Sequence, residues 1–585
     1  MGPRNAKVVC TLGPASGDRA TVTDLALAGM NVARLNASHG TTADRRDLLA
    51  TVREVGEATD HPIATLLDLA GPEVRTVDVE GTVDLAAGDQ VHFVADRDLS
   101  ADRVGLTASI RAVKAGDRVL LDDGRIETEV LAVEEAGVRA SVESGGALGG
   151  RAGVNVPGVD LGVPLVTERD EAELDMAADV GVDFVAASFV RSAEDVYRIS
   201  AELEDRGADI PVVAKIERAG AVENLEGIIE AAYGVMVARG DLGVECPLED
   251  VPMIQKRIIR RCHHAGVPVI TATEMLDSMV HERRPTRAEA SDVANAVLDG
   301  TDAVMLSAET AVGDHPVAAV ETMDRIVRDV EGSDEYAELR EQRVPDPDET
   351  RTGALARSAR FLARDLGASA VVAASESGYT ARKAAKYRPS IPIVASTPSE
   401  TVRRQLALSW GIIPRHAAYA DDSSDAVVES AVQAALDAEV AAAGDTVVVL
   451  SGMMTELEGL DTANMLKVHV ASETLATGRS VVDGVVTGPV HRVEDGDLAD
   501  LPAGTVLAVS RDFAGEFRGD LSKLAGILDA HEGMTGYAAI VARELEIPMI
   551  CEAALPDAVA DGTEVTLDGE RGVVFAGALH ARERP

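Results

Sequence analysis

Eight short apolar runs alternating with helical stretches over the first 330 residues predict an α/β chain built on a (β/α)8 barrel of the TIM class. The runs are KVVCTLG (7–13), NVARLN (31–36), ATLLDL (64–69), DFVAAS (183–188), PVVAKIE (211–217), GVMVAR (234–239), PVITATEM (268–275) and AVMLS (303–307). Each leads into polar residues at its carboxyl end, where a barrel of this class places its chemistry. Helical periodicity stops at about residue 73, and alternating segments such as DRVLLDDGRIETEVLAVEE predict a small antiparallel β unit inserted in a barrel loop over 73–157. The barrel itself is then residues 1–72 and 158–345. An acidic, proline-bearing stretch at 331–350 reads as a linker to a second α/β pattern, an open doubly wound sheet over 346–472. Its helices are expected at 353–366 and 380–388, with strands at ASAVVAAS, IPIVAST and TVVVLSG. A Gly- and Val-rich β-containing tail occupies 473–585.

The chain has 585 residues, 46% apolar and 26% charged, which suits several packed domains and excludes wholesale disorder. Fifty-five basic against 99 acidic residues give a net charge of −44, so nucleic acid and anionic membrane surfaces are not expected partners. Lysine occurs only at 7, 114, 215, 256, 383, 386, 467 and 523, and the acidic, arginine-dominated balance resembles proteins of salt-loving organisms. Cys10, Cys246, Cys262 and Cys551 lack metal-ligand spacing, and no long apolar segment appears. A cytoplasmic protein is expected.

No phosphate loop of the G-x-x-x-x-G-K-[ST] kind and no H-E-x-x-H occur. The strand ends instead offer Arg34, Asn36 and Ser38 after the second run, Asp68 after the third, Lys215 and Glu217 on the fifth, Arg239, Gly240 and Asp241 after the sixth, and Thr273 on the seventh. Glu217 and Asp241 come from neighbouring strands and suit one hard divalent ion completed by substrate oxygens. Strand alternation turns Lys215 and Glu217 to one face, so a cation and a metal would face one ligand. That pairing suits a reaction in which negative charge develops on oxygen, an enolate or a transferring phosphoryl group.

AKVVCTLGPAS (6–16), MNVARLNASHG (30–40), LDLAGPEVRT (67–76), GVNVPG (153–158), AKIER (214–218), MVARGDLGVE (236–245), RRPTRAEASDVANAVLDGTDAVMLSAET (283–310) and SGYTARKAAKYRP (377–389) stand in the order and spacing of one family's blocks. Over residues 4–472 the chain resembles the pyruvate kinases. The resemblance implies a catalytic barrel, an inserted lid and a regulatory α/β domain, with phosphoryl transfer from phosphoenolpyruvate to ADP giving pyruvate and ATP. It implies that Glu217 and Asp241 hold Mg2+ (or Mn2+), that Lys215 stabilises the enolate and the moving phosphoryl, and that Arg34 clamps phosphate. Backbone groups of Arg239, Gly240 and Asp241 would seat the carboxylate. Thr273 and Ser307, with Glu309, match proton-relay positions. Asn36, Ser38, Asp68 and the carbonyl of Leu69 match a K+ cage, and Ser375, Ser377, Gly378 and Thr380 match a loop that seats a phosphorylated effector. A homotetramer is implied by the same likeness.

Several positions depart from the family pattern. Leu69-Ala70 beside Glu73 and Thr76 mixes two cation classes, Glu274 follows the relay threonine, and Ala308 replaces the glycine of SGET. The stretch GMMTELEGLDTANMLKVH lacks the basic side chain of fructose-bisphosphate-regulated relatives. The tail resembles the phosphohistidine domain of phosphoenolpyruvate-utilising enzymes, a swivelling-type extra domain, through EGMTGYAAIVARELEIPMI (532–550), with Tyr537 at the histidine position. A phosphoryl-carrying role is not expected of it, and His531 lies outside the motif. His39 reads as a structural or substrate-proximal hydrogen-bonding residue, and Cys262-His263-His264 as a solvated helical face. Metal-dependent lyases on barrels also stabilise pyruvate enolates, and a silent relative would keep the fold; the intact Lys215, Glu217, Asp241 and Thr273 set and the lid favour the kinase.

Overall fold

The computed structural model describes residues 4–78, 81–95, 99–418, 424–442, 444–452, 463–472, 474–493 and 496–578. Eight parallel strands close a barrel: β1 (Lys7–Leu12), β2 (Val32–Asn36), β3 (Ala64–Asp68), β4 (Phe184–Ala187), β5 (Val212–Ile216), β6 (Gly234–Ala238), β7 (Val269–Ala272) and β8 (Ala303–Leu306). Their order around the barrel follows the chain, with β8 pairing back to β1 at Lys7↔Ala303 and Cys10↔Leu306. The strands read as continuous apolar runs because both faces are covered. Val9, Val32, Leu66, Phe184, Val213, Met236, Ile270 and Met305 fill the interior. Alternate residues such as Val8, Leu35, Leu67, Ile216 and Leu306 pack with helix residues Leu25, Val52, Ile199 and Ile258 in a second core.

Local signals set the crossovers. Thr41 and Asp44, Thr167 and Asp170, and Thr286 and Glu289 each form a capping box that starts a helix. Gly29, Gly181, Gly266 and Gly300 end helices in the left-handed conformation that a side chain would strain.

Between β3 and β4 an eight-stranded sheet and a two-stranded ribbon occupy Val74–Asn155, around a core of Val91, Phe93, Val119, Leu121, Val138 and Leu148. The stretch read as a linker is partly helical. Ser333 caps a helix over Asp334–Gln342, with Asp334 and Glu335 in its first turn, and Tyr336 is buried with its hydroxyl accepting from Trp410 Nε1. The acidity that suggested a linker is the charge expected at a helix start.

The chain divides into two compact units. The first comprises residues 1–348, 385–388 and 399–414, the second residues 349–384, 389–398 and 415–585. The second holds a five-stranded sheet whose central strands are Ala370–Ala374 and Thr446–Ser451, and an eight-stranded sheet from residue 474 onward. Among the described residues no helix is long and apolar enough to cross a membrane. Most of GMMTELEGLDTANMLKVH lies outside the described residues.

Candidate active site

The carboxyl ends of the strands gather most of the polar residues singled out by sequence. Lys215, on β5, is almost fully buried, and its Nζ lies 2.8 Å from Glu217 Oε1 and 3.2 Å from Asp68 Oδ1 while donating to Ser188 Oγ at 2.7 Å. Burial alone would lower its pKa, but the charges of Asp68 and Glu217 outweigh that and hold the ammonium above its ordinary value. Burial likewise opposes ionisation of Asp68, yet Lys215 and Arg34 keep it below the usual carboxylate range. Arg34, on β2, grips Asp68 Oδ2 through Nε at 2.7 Å and Nη2 at 2.6 Å, and donates through Nη1 to Thr11 Oγ1 at 3.0 Å. The cluster therefore laces two basic side chains, Lys215 and Arg34, to two acidic ones, Asp68 and Glu217.

Glu217 lies one residue beyond β5 rather than on it, because the strand ends at Ile216. Its Oε1 faces Lys215 and its Oε2 accepts from the Phe189 N–H at 2.6 Å. Phe189 adopts φ +58°, an uncommon conformation for a bulky residue that aims this N–H inward. Gly71 makes the approach possible: at φ +69°, a Cβ there would lie 2.8 Å from Ser188 Cβ.

Asp241 sits in the first turn of a short helix, Arg239–Glu245, that begins as β6 ends. Burial, and then the like charge of Glu217, push its carboxyl up to about 7. A buried carboxyl raised by a neighbouring like charge marks a site that a divalent cation relieves. Among the described residues no cluster of three or more His, Cys, Asp or Glu side chains is poised around one metal. Glu217 and Asp241 alone fit a hard ion that takes its remaining ligands from substrate and water. Glu73, paired with Arg75 at 2.7 Å, is also raised, chiefly by burial.

Thr273 falls just past β7, in the left-handed region at φ +74°, followed by Glu274 at φ +52°. Ser307 follows β8, its N–H donating to Glu309 Oε2 at 2.6 Å, while Glu309 Oε1 accepts from Leu276 N–H at 3.0 Å. Glu309 thus ties the loops after β7 and β8 together, and burial raises its pKa. The residues read as a K+ cage stand at the ends of adjacent strands, Asn36 pairing with Asp68: Asn36 Oδ1 accepts from Ser38 N–H at 3.0 Å, the Leu69 carbonyl accepts from Ser188 Oγ at 2.7 Å, and Ala37 N–H donates to the Asp68 carbonyl at 2.8 Å. Each of these oxygens keeps a second lone pair, and an all-oxygen set suits a hard monovalent cation.

Sequence reasoning overlooked Thr11, Ser188 and Phe189. Thr11 and Ser188 lie at the ends of β1 and β4, so the strand-end rule that found Lys215 could have found them. Phe189 left no signal, since its role is carried by a backbone N–H. Cys262-His263-His264 needs correction. Cys262 is buried in the barrel core, and His263 is mostly buried with Nε2 3.0 Å from the Lys386 carbonyl, its pKa pushed down to about 3 by burial and by Arg388. Only His264 is exposed. His39 is held below its ordinary value by burial and by Arg75 and Arg151, which suits a neutral hydrogen-bonding residue.

A closed barrel with a β insertion after its third strand, and a lysine between two buried carboxylates at the strand ends, defines an enzyme built to handle an anionic, oxygen-rich substrate. Residues 3–320 match the pyruvate kinase barrel domain, 353–469 the pyruvate kinase alpha/beta domain, and 501–572 the mobile domain of PEP-utilising enzymes. A pyruvate kinase of Geobacillus stearothermophilus is 42% identical over 98% of this chain and 99% of its own length, and one of Bacillus licheniformis is 40% identical over the same shares. The solved structure of a pyruvate kinase from Cryptosporidium parvum superposes with a TM-score of 0.74 at 34% identity, covering 80% of this chain and 96% of its own. The chain belongs to the pyruvate kinase family. Its reaction transfers phosphoryl from phosphoenolpyruvate to ADP, giving pyruvate and ATP, the last step of glycolysis.

Proposed function

We propose that Lys215 is the electrostatic centre of the reaction and that the Asp68, Glu217 and Ser188 contacts are what hold its ammonium in place; the geometry of that buried lysine carries the reading. As phosphorus leaves the enol oxygen, charge develops on both the enolate and the transferring group, and a fixed buried cation stabilises both without reorganising. Arg34 offers its remaining N–H groups to phosphate. Glu217 and Asp241 would hold Mg2+ or Mn2+, which would add positive charge to offset the negative charge that develops during transfer. Backbone N–H groups at Arg239, Gly240 and Asp241 receive the substrate carboxylate, and Thr273 and Ser307 relay a proton from water to the enolate carbon, each regaining the proton it passes on. The enzyme is read as cytoplasmic and homotetrameric, from a salt-loving source.

Asn36, Ser38, Asp68 and Leu69 form the K+ site in this reading, supported by their all-oxygen donors. Steady-state rates in KCl should exceed those in tetramethylammonium chloride several-fold at equal ionic strength. Equal rates would remove the specific K+ site.

In the second unit, Ser375, Ser377, Gly378 and Thr380 form the proposed seat of a phosphorylated effector. They precede and open the helix Tyr379–Lys386, and Gly378 has φ +76°. Ser375 Oγ is buried with no hydrogen-bond partner among the described residues, which suits a hydroxyl reserved for a ligand.

The tail is assigned no phosphoryl-carrying role. Tyr537 opens the helix Tyr537–Leu545 with its ring 5.3 Å from that of Phe517, and a phenol lacks the imidazole nitrogen that takes up phosphoryl and releases it readily. A chain truncated after residue 472 should retain ATP synthesis while its melting temperature shifts. Acid-labile phosphate on the tail after incubation with labelled phosphoenolpyruvate, on His531 beside Asp529 for example, would overturn that assignment.

A further inference from the structure

Arg239 enters the reading above only through its backbone, yet its side chain makes the most directed set of contacts in the site. Nε donates to the Ala272 carbonyl at 2.9 Å, Nη2 to the Thr273 carbonyl at 2.6 Å, and Nη1 to Asp292 Oδ1 at 2.8 Å, with Asp292 Oδ2 at 2.6 Å. One planar fork thus takes hold of the last residue of β7, the residue after it, and the helix Arg287–Asp299 that follows. The residue it holds is strained. Thr273 is β-branched and sits at φ +74°, and Glu274 behind it at φ +52°, a pair of conformations that persists only where surrounding structure enforces it. Gly240 leaves room for its side chain: a Cβ at 240 would lie 2.9 Å from Thr273 Cγ2.

We propose that Arg239 and Asp292 are positioning residues that fix the hydroxyl of Thr273 against the substrate seat, Asp292 by orienting the guanidinium and Arg239 by pinning the two carbonyls. The proposal rests on the reading that Thr273 handles the substrate. It adds that the strained backbone is maintained for that purpose, with the clamp holding it and Gly240 leaving it room. A pair serving only the fold would contribute to stability without regard to Thr273.

Four enzymes decide between these: wild type, Thr273→Val, Asp292→Asn and the double variant, with Arg239→Lys as a second probe that keeps the charge but replaces the fork with a single ammonium. Misplacing a reacting group by about 1 Å costs up to about 100-fold. Asp292→Asn and Arg239→Lys should each lower kcat about 10- to 100-fold, leave KM for ADP within about twofold, and unfold near the wild-type temperature. Asp292→Asn added to Thr273→Val should lower kcat by no more than about twofold further, because both act through one hydroxyl. Multiplicative losses in the double variant, or wild-type kcat in Asp292→Asn, would overturn the proposal, as would failure of both Asp292→Asn and Arg239→Lys to fold. Wild-type kcat in Thr273→Val alone would instead remove the reading of Thr273 on which the proposal stands.

Discussion

Lys215→Met should lower kcat for ATP formation by about 10²–10³, the usual cost of removing one preorganised group aimed at developing charge. The same change should be visible in stability. Lys215 is almost fully buried between Asp68 and Glu217, so its removal leaves two buried carboxylates short of a partner, and breaking a buried pair in this way costs about 3–5 kcal/mol. Arg34 still neutralises Asp68, which places the expected loss toward the lower end. Divalent-ion binding should survive, since the ammonium that occupies Glu217 Oε1 is gone. Circular dichroism and a Mn2+ titration monitored by paramagnetic relaxation would separate these effects. Activity within a few fold of wild type in the folded variant would show that Lys215 is not the electrostatic centre.

The second large effect is expected at the metal. Mutating groups that merely support a metal ligand costs about 10–100-fold in affinity, and losing a ligand should cost at least as much, so Glu217→Gln should shift the Mg2+ dependence of turnover to about 10–100-fold higher concentration. It should also move the acid limb of that dependence. Asp241 must be ionised to hold the metal, and burial together with Glu217's charge raises its carboxyl to about 7 in the metal-free protein, so protons and Mg2+ compete for it near neutrality. With Glu217 uncharged, Asp241 ionises more readily and the competition moves to lower pH. An unchanged Mg2+ requirement would remove Glu217 from the ligand set. An acid limb unmoved by the substitution would mean that the two carboxylates do not share a site.

The barrel was legible because parallel strands covered on both faces must be apolar throughout, and eight such runs are hard to produce otherwise. Their ends were less so. β5 stops at Ile216, before Glu217, and β7 stops at Ala272, where the chain turns left-handed at Thr273 and Glu274; the turn after β4 does the same at Phe189, and no propensity announces such backbone for these residues. Charged residues at strand ends could be assigned from sequence, whereas Ser188 and the side chain of Arg239 act through partners far along the chain. In the α/β domain, the strands Ile412–His416 and Met465–Val470 and the helix Ser424–Asp437 went unassigned from sequence. The Met465–Val470 strand is mixed in character and only partly buried along its length, which gives it no continuous apolar signature. His263 was misplaced for a different reason. Adjacent residues on a helix point in different directions, which argued against a metal site and for a solvated face, but the helix turns Cys262 into the core and lays His263 against the Lys386 carbonyl.

The central claim is that this site moves phosphoryl from an enol oxygen to ADP and leaves pyruvate, and simultaneous measurement of ATP and pyruvate from phosphoenolpyruvate tests it most directly. In KCl with Mg2+, the two products should appear in a 1:1 ratio, both dependent on ADP and on the divalent ion, and both should fall together in Lys215→Met. Pyruvate released without ADP, or pyruvate formed with no matching ATP, would contradict the account and point to an enzyme that stabilises the enolate without transferring phosphoryl to a nucleotide.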